Sequence, residues 1–294
     1  MMNFDTQYKA YQQLVEEKLS HYIHLANHCE ALMKAMEYSL MLGGKRIRPI
    51  LAMATCDLLG HAPTQAIPVA CALEMIHTYS LIHDDLPSMD DDDLRRGKPT
   101  NHKVFGEAVA ILAGDGLLTE AFSCLSDPRW SLSDQSKIRV IHTISEASGA
   151  KGMVAGQVLD LEFEGKECNE EQLENIHLHK TGKLILASIL AGAHCASVGV
   201  EQLQTLESFG RKIGLAFQIA DDILDITQTT EQLGKNAKSD LKKKKSTYPS
   251  LIGLEASIQK AENLHQESLD LLSTFGERSW FLQELSTLIV RRKK

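Results

Sequence analysis

No proline interrupts the chain between Pro128 and Pro249. A stretch that long without the residue that breaks helices, and rich in Leu, Ala, Glu, Lys and Gln, reads as successive helices. Within it, apolar residues recur at spacings of three and four: Ile213, Ala216, Phe217 and Ala220, then Ile223 and Leu224 on the same flank. Strand-like alternation of Val, Ile and Thr is missing, and aromatic residues make up only 5%. The expected fold class is all-α, a helical bundle with a central cavity. Gly43-Gly44 is suited to end one helix in the left-handed conformation, and Pro49 to the first turn of the next. Pro87 and Gly97-Lys98-Pro99 bracket an irregular, charged segment, with further loops expected at 165–169 and 242–245. With no linker, low-complexity tract or repeat, one domain spanning residues 1–294 is expected.

Composition narrows the function classes. Among 294 residues, 43% are hydrophobic and 24% charged, a balance that builds a core and excludes disorder as the main state. A net charge of -8 gives no basic footprint, so no nucleic-acid partner is expected. Met1-Met2-Asn3-Phe4-Asp5 lacks the basic-then-apolar pattern of a signal or transit peptide, and the most apolar stretch, Leu184–Ala193, is too short to span a bilayer. A cytoplasmic chain without stable membrane insertion is therefore expected. Cys29, Cys56, Cys71, Cys124, Cys168 and Cys195 form no C-x-x-C pair, and are expected to be small buried thiols.

Two aspartate clusters carry the chemistry. The first runs Asp84-Asp85-Leu86-Pro87-Ser88-Met89-Asp90 and on through Asp93; the second is Asp221-Asp222-Ile223-Leu224-Asp225. On a helix, Asp221 and Asp225 share a face one turn apart, with Asp222 beside them. Carboxylates aligned this way repel unless a cation or a set of donors compensates, and hard oxygen ligands suit Mg²⁺ shared with phosphates. An isolated acidic cluster is ordinarily a solvated face. The second one sits inside the apolar run Leu215–Leu224, which points instead to carboxylates lining a cavity.

Basic groups supply the complement. Gly43-Gly44-Lys45-Arg46-Ile47-Arg48-Pro49 sets Lys45 and Arg48 around a helix start, and Arg95-Arg96-Gly97-Lys98 follows the first acidic cluster. Adjacent arginines present planar, bidentate donors to phosphate oxygens. Lys180-Thr181, Lys235 and Lys245 add further groups. Each alone is an ordinary surface charge; acidic and basic clusters interleaved suit a diphosphate held by metal on one side and by Arg and Lys on the other.

The strings GGKRIRP (43–49), EMIHTYSLIHDDLPSMDDDDLRRGKPTNH (74–102), AGD (113–115), GQVLDL (156–161), HKTG (179–182), GLAFQIADDILD (214–225), LGK (233–235) and KSTYP (245–249) resemble the trans-isoprenyl diphosphate synthases, the bacterial farnesyl-forming members above all. The resemblance covers residues from about 30 to the end. It implies the isoprenoid synthase bundle, a homodimer, and Mg²⁺ (with Mn²⁺ as substitute) held by Asp84, Asp85, Asp90, Asp221, Asp222 and Asp225. It further implies an isopentenyl diphosphate site at Lys45, Arg48, His77 and Arg96, and allylic diphosphate contacts from Arg95, Lys180, Thr181, Gln218, Lys235 and Lys245. Asp84, Asp85, Arg95, Lys180 and Asp221 would act directly in catalysis. The implied reaction is head-to-tail condensation of isopentenyl diphosphate with dimethylallyl and then geranyl diphosphate, ending at farnesyl diphosphate. A geranylgeranyl or other short-chain product is the alternative. A class I terpene cyclase needs no second diphosphate pocket, which Lys45, Arg48 and Arg96 argue against; a non-catalytic partner subunit would have lost one acidic motif.

Three details qualify the resemblance. Four residues separate Asp85 from Asp90 where shorter forms have two, and the insert holds Pro87, so the helix is expected to end near Leu86 and Asp90 to return through a loop. The basic tail Arg291–Lys294 is expected to be solvated. Tyr79 stands five residues before Asp84, about 7.5 Å down a helix but about 140° around it; the resemblance, not the periodicity, makes it the floor of a farnesyl-sized pocket, with Ser80 as a lesser chain-length position.

Overall fold

The computed structural model describes residues 3–25, 29–227 and 245–291, so expectations for Lys235, Lys242–Lys244 and 292–294 lie outside the described residues. The helices are α1 (Phe4–Leu25), α2 (Glu30–Leu40), α3 (Ile47–Leu58), α4 (Ile67–Asp84), α5 (Asn101–Phe105), α6 (Glu107–Leu125), α7 (Asp134–Ser148), α8 (Met153–Phe163), α9 (Glu170–His177), α10 (Lys183–His194), α11 (Val200–Thr227), α12 (Tyr248–Ile252), α13 (Leu254–Ser273) and α14 (Trp280–Val290). The all-α expectation holds with one addition. Between α4 and α5, Leu94–Arg95 and Lys98–Pro99 pair as a two-stranded antiparallel hairpin across the Arg96-Gly97 turn. That segment was read as irregular because two-residue strands are too short to show alternation.

Two helices are apolar on nearly every side and therefore take the middle of the bundle. On α10 every residue from Leu184 to Ile189 is buried, and on α4 the run Ile67–Ile76 is buried without a gap. Around them α3, α7 and α11 pack on α10, and α6 packs along α4. α6 has the length and composition to cross a bilayer, which the reading centred on Leu184–Ala193 overlooked. It lies against α4 through the stripe Ala110, Ala113, Gly114, Leu117 and Ala121, while Ile111 and Leu112 face outward. A smaller core of Cys168, Leu173, Ile219, Tyr248 and Ala261 joins α9, α11, α12 and α13. Each fully buried Leu or Ile in these cores contributes about 1.5–3 kcal/mol. All six thiols are unpaired; five are buried as expected, but Cys29 is exposed.

Local chemistry sets the helix ends near the site. Gly43 and Gly44 take φ of 84° and 124° between α2 and α3, as the doublet predicts. α4 ends at Asp84, and the Asp90 N–H donates to the Asp84 carbonyl at 2.8 Å, so the Pro87 insert folds back as a loop. Asn169 and Thr247 start α9 and α12 with reciprocal capping boxes. α9 and α10 form one continuous helix, Glu170–His194, broken in type only by a single π turn at Leu178–Gly182.

Candidate active site

A cavity of about 380 Å³ opens beside the C-terminal half of α4, within the ~300–1,000 Å³ usual for small-molecule sites. Arg48, His77, Asp84, Lys180 and Thr181 form its polar wall. Tyr79, Met89, Met153, Val154, Val158 and Leu161 form its apolar wall. Val154, Val158 and Leu161 follow one face of α8, and their exposure is explained by the cavity they line. Tyr79 is buried, and its ring packs edge-on against His83 with centroids 5.8 Å apart. Ser80 also lines the cavity, its hydroxyl donating to the His77 carbonyl at 2.9 Å.

The first acidic motif stands at the rim where α4 runs into its loop. Burial raises the Asp84 pKa to about 6; Lys180 opposes this, while the Asp90 and Asp85 charges add to it. Burial likewise raises Asp85 to about 6, although Arg95 Nε donates to both of its oxygens at 2.8 and 2.9 Å. Like-charged carboxylates taken out of water call for a cation, and their hard oxygens fit Mg²⁺. Among the described residues no three His, Cys, Asp or Glu side chains are grouped closely enough to hold a metal ion by themselves.

The basic groups converge from three directions. Arg96, at a left-handed φ of 52°, donates to the Gly43 carbonyl and lies so close over Gly44 that a Cβ there would meet its guanidinium at 2.7 Å. Glycine at 44 is called for by its φ of 124°, since the guanidinium is the end of a flexible side chain that can give way. His77 lies where Arg48, Arg96 and Arg95 all act on it: burial first, then their positive fields, hold it well below the usual range, so the imidazole is neutral. The Lys45 carbonyl accepts from Tyr8, and Arg46, also left-handed at φ 53°, donates to buried Glu74 at 2.6 Å, pinning this loop to α4. Such a buried pair fixes geometry more than it adds stability.

Lys180 and Lys245 come from segments 65 positions apart, and both donate to Asp160 Oδ2 at 2.7 Å. Burial would raise Asp160, but the two ammonium groups prevail and hold it down at about 2. Lys245 also lies 3.7 Å from Asp90, so it bridges the first motif to α8. α8 reaches Lys180 closely because residue 156 is glycine: a Cβ there would stand 2.1 Å from the Lys180 nitrogen.

The second acidic motif lies in the last two described turns of α11. Asp221 is half-buried, while Asp222 and Asp225 are buried, each 3% exposed. Asp222 accepts from the Tyr248 N–H at 3.0 Å and from the Gln218 amide at 3.3 Å, and lies 3.0 Å from His177 Nε2. Gln218 therefore faces Asp222 here, and Thr181 the cavity.

Sequence reasoning missed Asp160, Gln157, His177, and the Arg46–Glu74 pair. Asp160 and Gln157 stood inside the GQVLDL string, which signalled them without naming a partner. The Gln157 amide nitrogen is buried beside the cavity with no hydrogen-bond partner among the described residues.

The Polyprenyl synthetase family profile matches residues 29–272. A farnesyl diphosphate synthase of Bacillus subtilis (strain 168) is 47% identical over 282 residues, 96% of this chain and 95% of that protein. The large subunit 1 of a chloroplastic heterodimeric geranylgeranyl pyrophosphate synthase of Arabidopsis thaliana is 51% identical over 247 residues, 82% of this chain and 67% of its own length. Among solved structures, a geranyltransferase from Helicobacter pylori complexed with magnesium and isoprenyl diphosphate superposes with a TM-score of 0.86 at 36% identity, over 99% of this chain and 97% of that one. With the profile spanning most of the chain and relatives matched nearly end to end, this chain belongs to the polyprenyl synthetase family.

Proposed function

We propose that the chain is a magnesium-dependent prenyltransferase that condenses isopentenyl diphosphate with dimethylallyl and then geranyl diphosphate, releasing farnesyl diphosphate and diphosphate. The observation that carries this reading is the single cavity with acids at its rim, cations from separate segments beside them, and an apolar wall below. The relatives' names supply the reaction class. Asp84, Asp85, Asp90, Asp221 and Asp225 are assigned to the metal side. Lys45, Arg48, His77 and Arg96 are assigned to isopentenyl diphosphate, and Arg95, Lys180, Thr181, Gln218, Lys235 and Lys245 to the allylic diphosphate. Mg²⁺, or Mn²⁺ in its place, neutralises diphosphate charge when bound.

In this reading the allylic carbon–oxygen bond breaks with its electron pair leaving on diphosphate, and Arg95, Lys180 and Lys245 are placed to stabilise that charge. Arg48 and Arg96 hold isopentenyl diphosphate so that its double bond attacks the allylic carbon. His77, kept neutral, is no acid at this stage. The proton lost from the condensation product goes to the departing diphosphate, the base that breaking the carbon–oxygen bond itself sets free. Met89, Met153, Val154 and Val158 exclude the water that would quench the cation. The outward apolar residues Ile111 and Leu112 of α6 support a homodimer burying that face, the chain acting as one cytoplasmic domain.

The test is chromatography of products from isopentenyl diphosphate with each allylic primer. Farnesyl diphosphate as the main end product supports the proposal; no chain growth from either primer overturns it.

A further inference from the structure

We propose that Asp222, although part of the second acidic motif, is a positioning residue and not a metal ligand: with His177 it locks the two segments that carry Lys180 and Lys245 onto α11. The inference rests on the diphosphate role proposed for those lysines. An ionised carboxylate is acceptor-only, with about four lone-pair directions. Asp222 Oδ2 lies 3.0 Å from both His177 Nε2 and the Tyr248 nitrogen, and Oδ1 takes the Gln218 amide. Facing a carboxylate, His177 must carry a proton on Nε2. Oδ2 is therefore already engaged from two sides inside a buried site. A metal at Oδ2 would have to evict the His177 ring or the Tyr248 backbone N–H, and either donor would be left unsatisfied in the interior.

The placement of the donors gives the arrangement its purpose. His177 precedes Lys180 by three residues, and Tyr248 follows Lys245 by three. One carboxylate oxygen, Asp222 Oδ2, thus collects an anchor from each segment. A second, Asp160 Oδ2, collects the lysine from each segment, at 2.7 Å in both cases. The anchors are rigid: Tyr248 is fully buried, and its ring lies 5.7 Å from that of His177. Lys260 sits 4.8 Å over the other part of the same aromatic pair, on Tyr248. Loosening Asp222 or His177 would leave both lysines present but spread, weakening the grip on a diphosphate without touching the metal-facing oxygens of Asp221.

The experiment measures binding of inorganic diphosphate by titration calorimetry across a series of Mg²⁺ concentrations, for the full chain and for Asp221→Asn, Asp222→Asn, His177→Phe and His177→Gln. His177→Phe keeps a ring against Tyr248 but removes the N–H, and is expected to weaken diphosphate binding about tenfold, the loss typical of one charge-assisted hydrogen bond. His177→Gln, which restores an N–H, should recover most of that affinity. Asp222→Asn should match His177→Phe, and the double variant should be no weaker than either alone. In all three the half-saturating Mg²⁺ concentration stays within about twofold of the parent, whereas Asp221→Asn raises it; heat-unfolding scans confirm that each variant is folded. An Asp222→Asn protein whose Mg²⁺ requirement rises as much as that of Asp221→Asn overturns the proposal, as does unchanged diphosphate affinity in His177→Phe. If Asp222→Asn fails to fold, the two His177 variants decide by the same criterion. Failure of the underlying functional reading looks different: the parent chain itself then binds no diphosphate at any Mg²⁺ concentration.

Discussion

The two acidic motifs are chemically alike and structurally opposite. The first ends a helix and continues as a loop, and charge holds it in place: Arg95 on Asp85 and Lys245 near Asp90. The second is set inside the 28-residue helix α11, and its Asp222 is fixed from two other segments by the His177 ring and the Tyr248 backbone N–H. An ion pair can be exchanged for a ligand, because a phosphate or a metal offers the same charges an equivalent partner. Hydrogen bonds to buried backbone cannot be exchanged in that way. One motif is thus built to change partners during a reaction cycle and the other to stay still.

The strongest way to break this comparison is to remove one metal-side carboxylate from each motif. Asp84→Ala and Asp221→Ala should each lower turnover by about 10³-fold or more, at the upper end of what loss of one preorganised charge-stabilising group produces. Helical circular dichroism should be unchanged, and chelation should abolish activity of the parent. Turnover within tenfold of the parent for Asp221→Ala would leave only the first motif in the chemistry.

A sharper contrast comes from two glycines. Gly156→Ala drives a methyl into the Lys180 backbone, 2.1 Å away, behind the still region. Overpacking of that kind typically costs about 1–3 kcal/mol, and the midpoint of thermal unfolding should fall by roughly 2–12 °C at ~2–4 °C per kcal/mol. Gly97→Ala, in the rim hairpin, meets nothing within 4 Å and strains only a φ of 75°. Its cost should stay near the ~1–2 kcal/mol of a left-handed residue. A larger drop for Gly97→Ala would reverse the assignment of rigid and adaptable regions.

The smallest effect is one of product. Tyr79→Ala removes the ring that closes the apolar wall, and chromatography should show the main product lengthening by one isoprene unit or more while total turnover changes less than about tenfold. Unchanged product length with lowered thermal stability would make Tyr79 ordinary core.

Much of this was legible before any coordinates. Helix content followed from proline scarcity and three-and-four spacing, and the loop return to Asp90 followed from Pro87. The acidic and basic clusters announced themselves because their residues are neighbours in sequence. What could not be read is what the fold brings together. Asp160 lies 20 positions from Lys180 and 85 from Lys245, and His177 lies 45 from Asp222; no periodicity encodes such pairs. The hairpin at Leu94–Pro99 was too short to alternate, and the outward face of α6 looks by composition like a membrane span because the chain records hydrophobicity without recording neighbours.

The π turn at Leu178–Gly182 has a consequence for how this chain tolerates change in length. A π turn is one residue inserted into an α-helix, and here it falls between the half that faces Asp222 and the half buried at the centre of the bundle. Deleting that residue would restore an ordinary helix with both halves still in register, whereas a deletion elsewhere in the helix would swing everything beyond it by about 100°. An in-frame loss of a single codon outside the π turn would turn the apolar shell of α10 against its neighbours or drag His177 from its anchor, while one at the π turn itself would leave both in place. The helix Glu170–His194 therefore tolerates a one-residue change in length at its π turn alone, while the loops on either side leave their lengths free to drift.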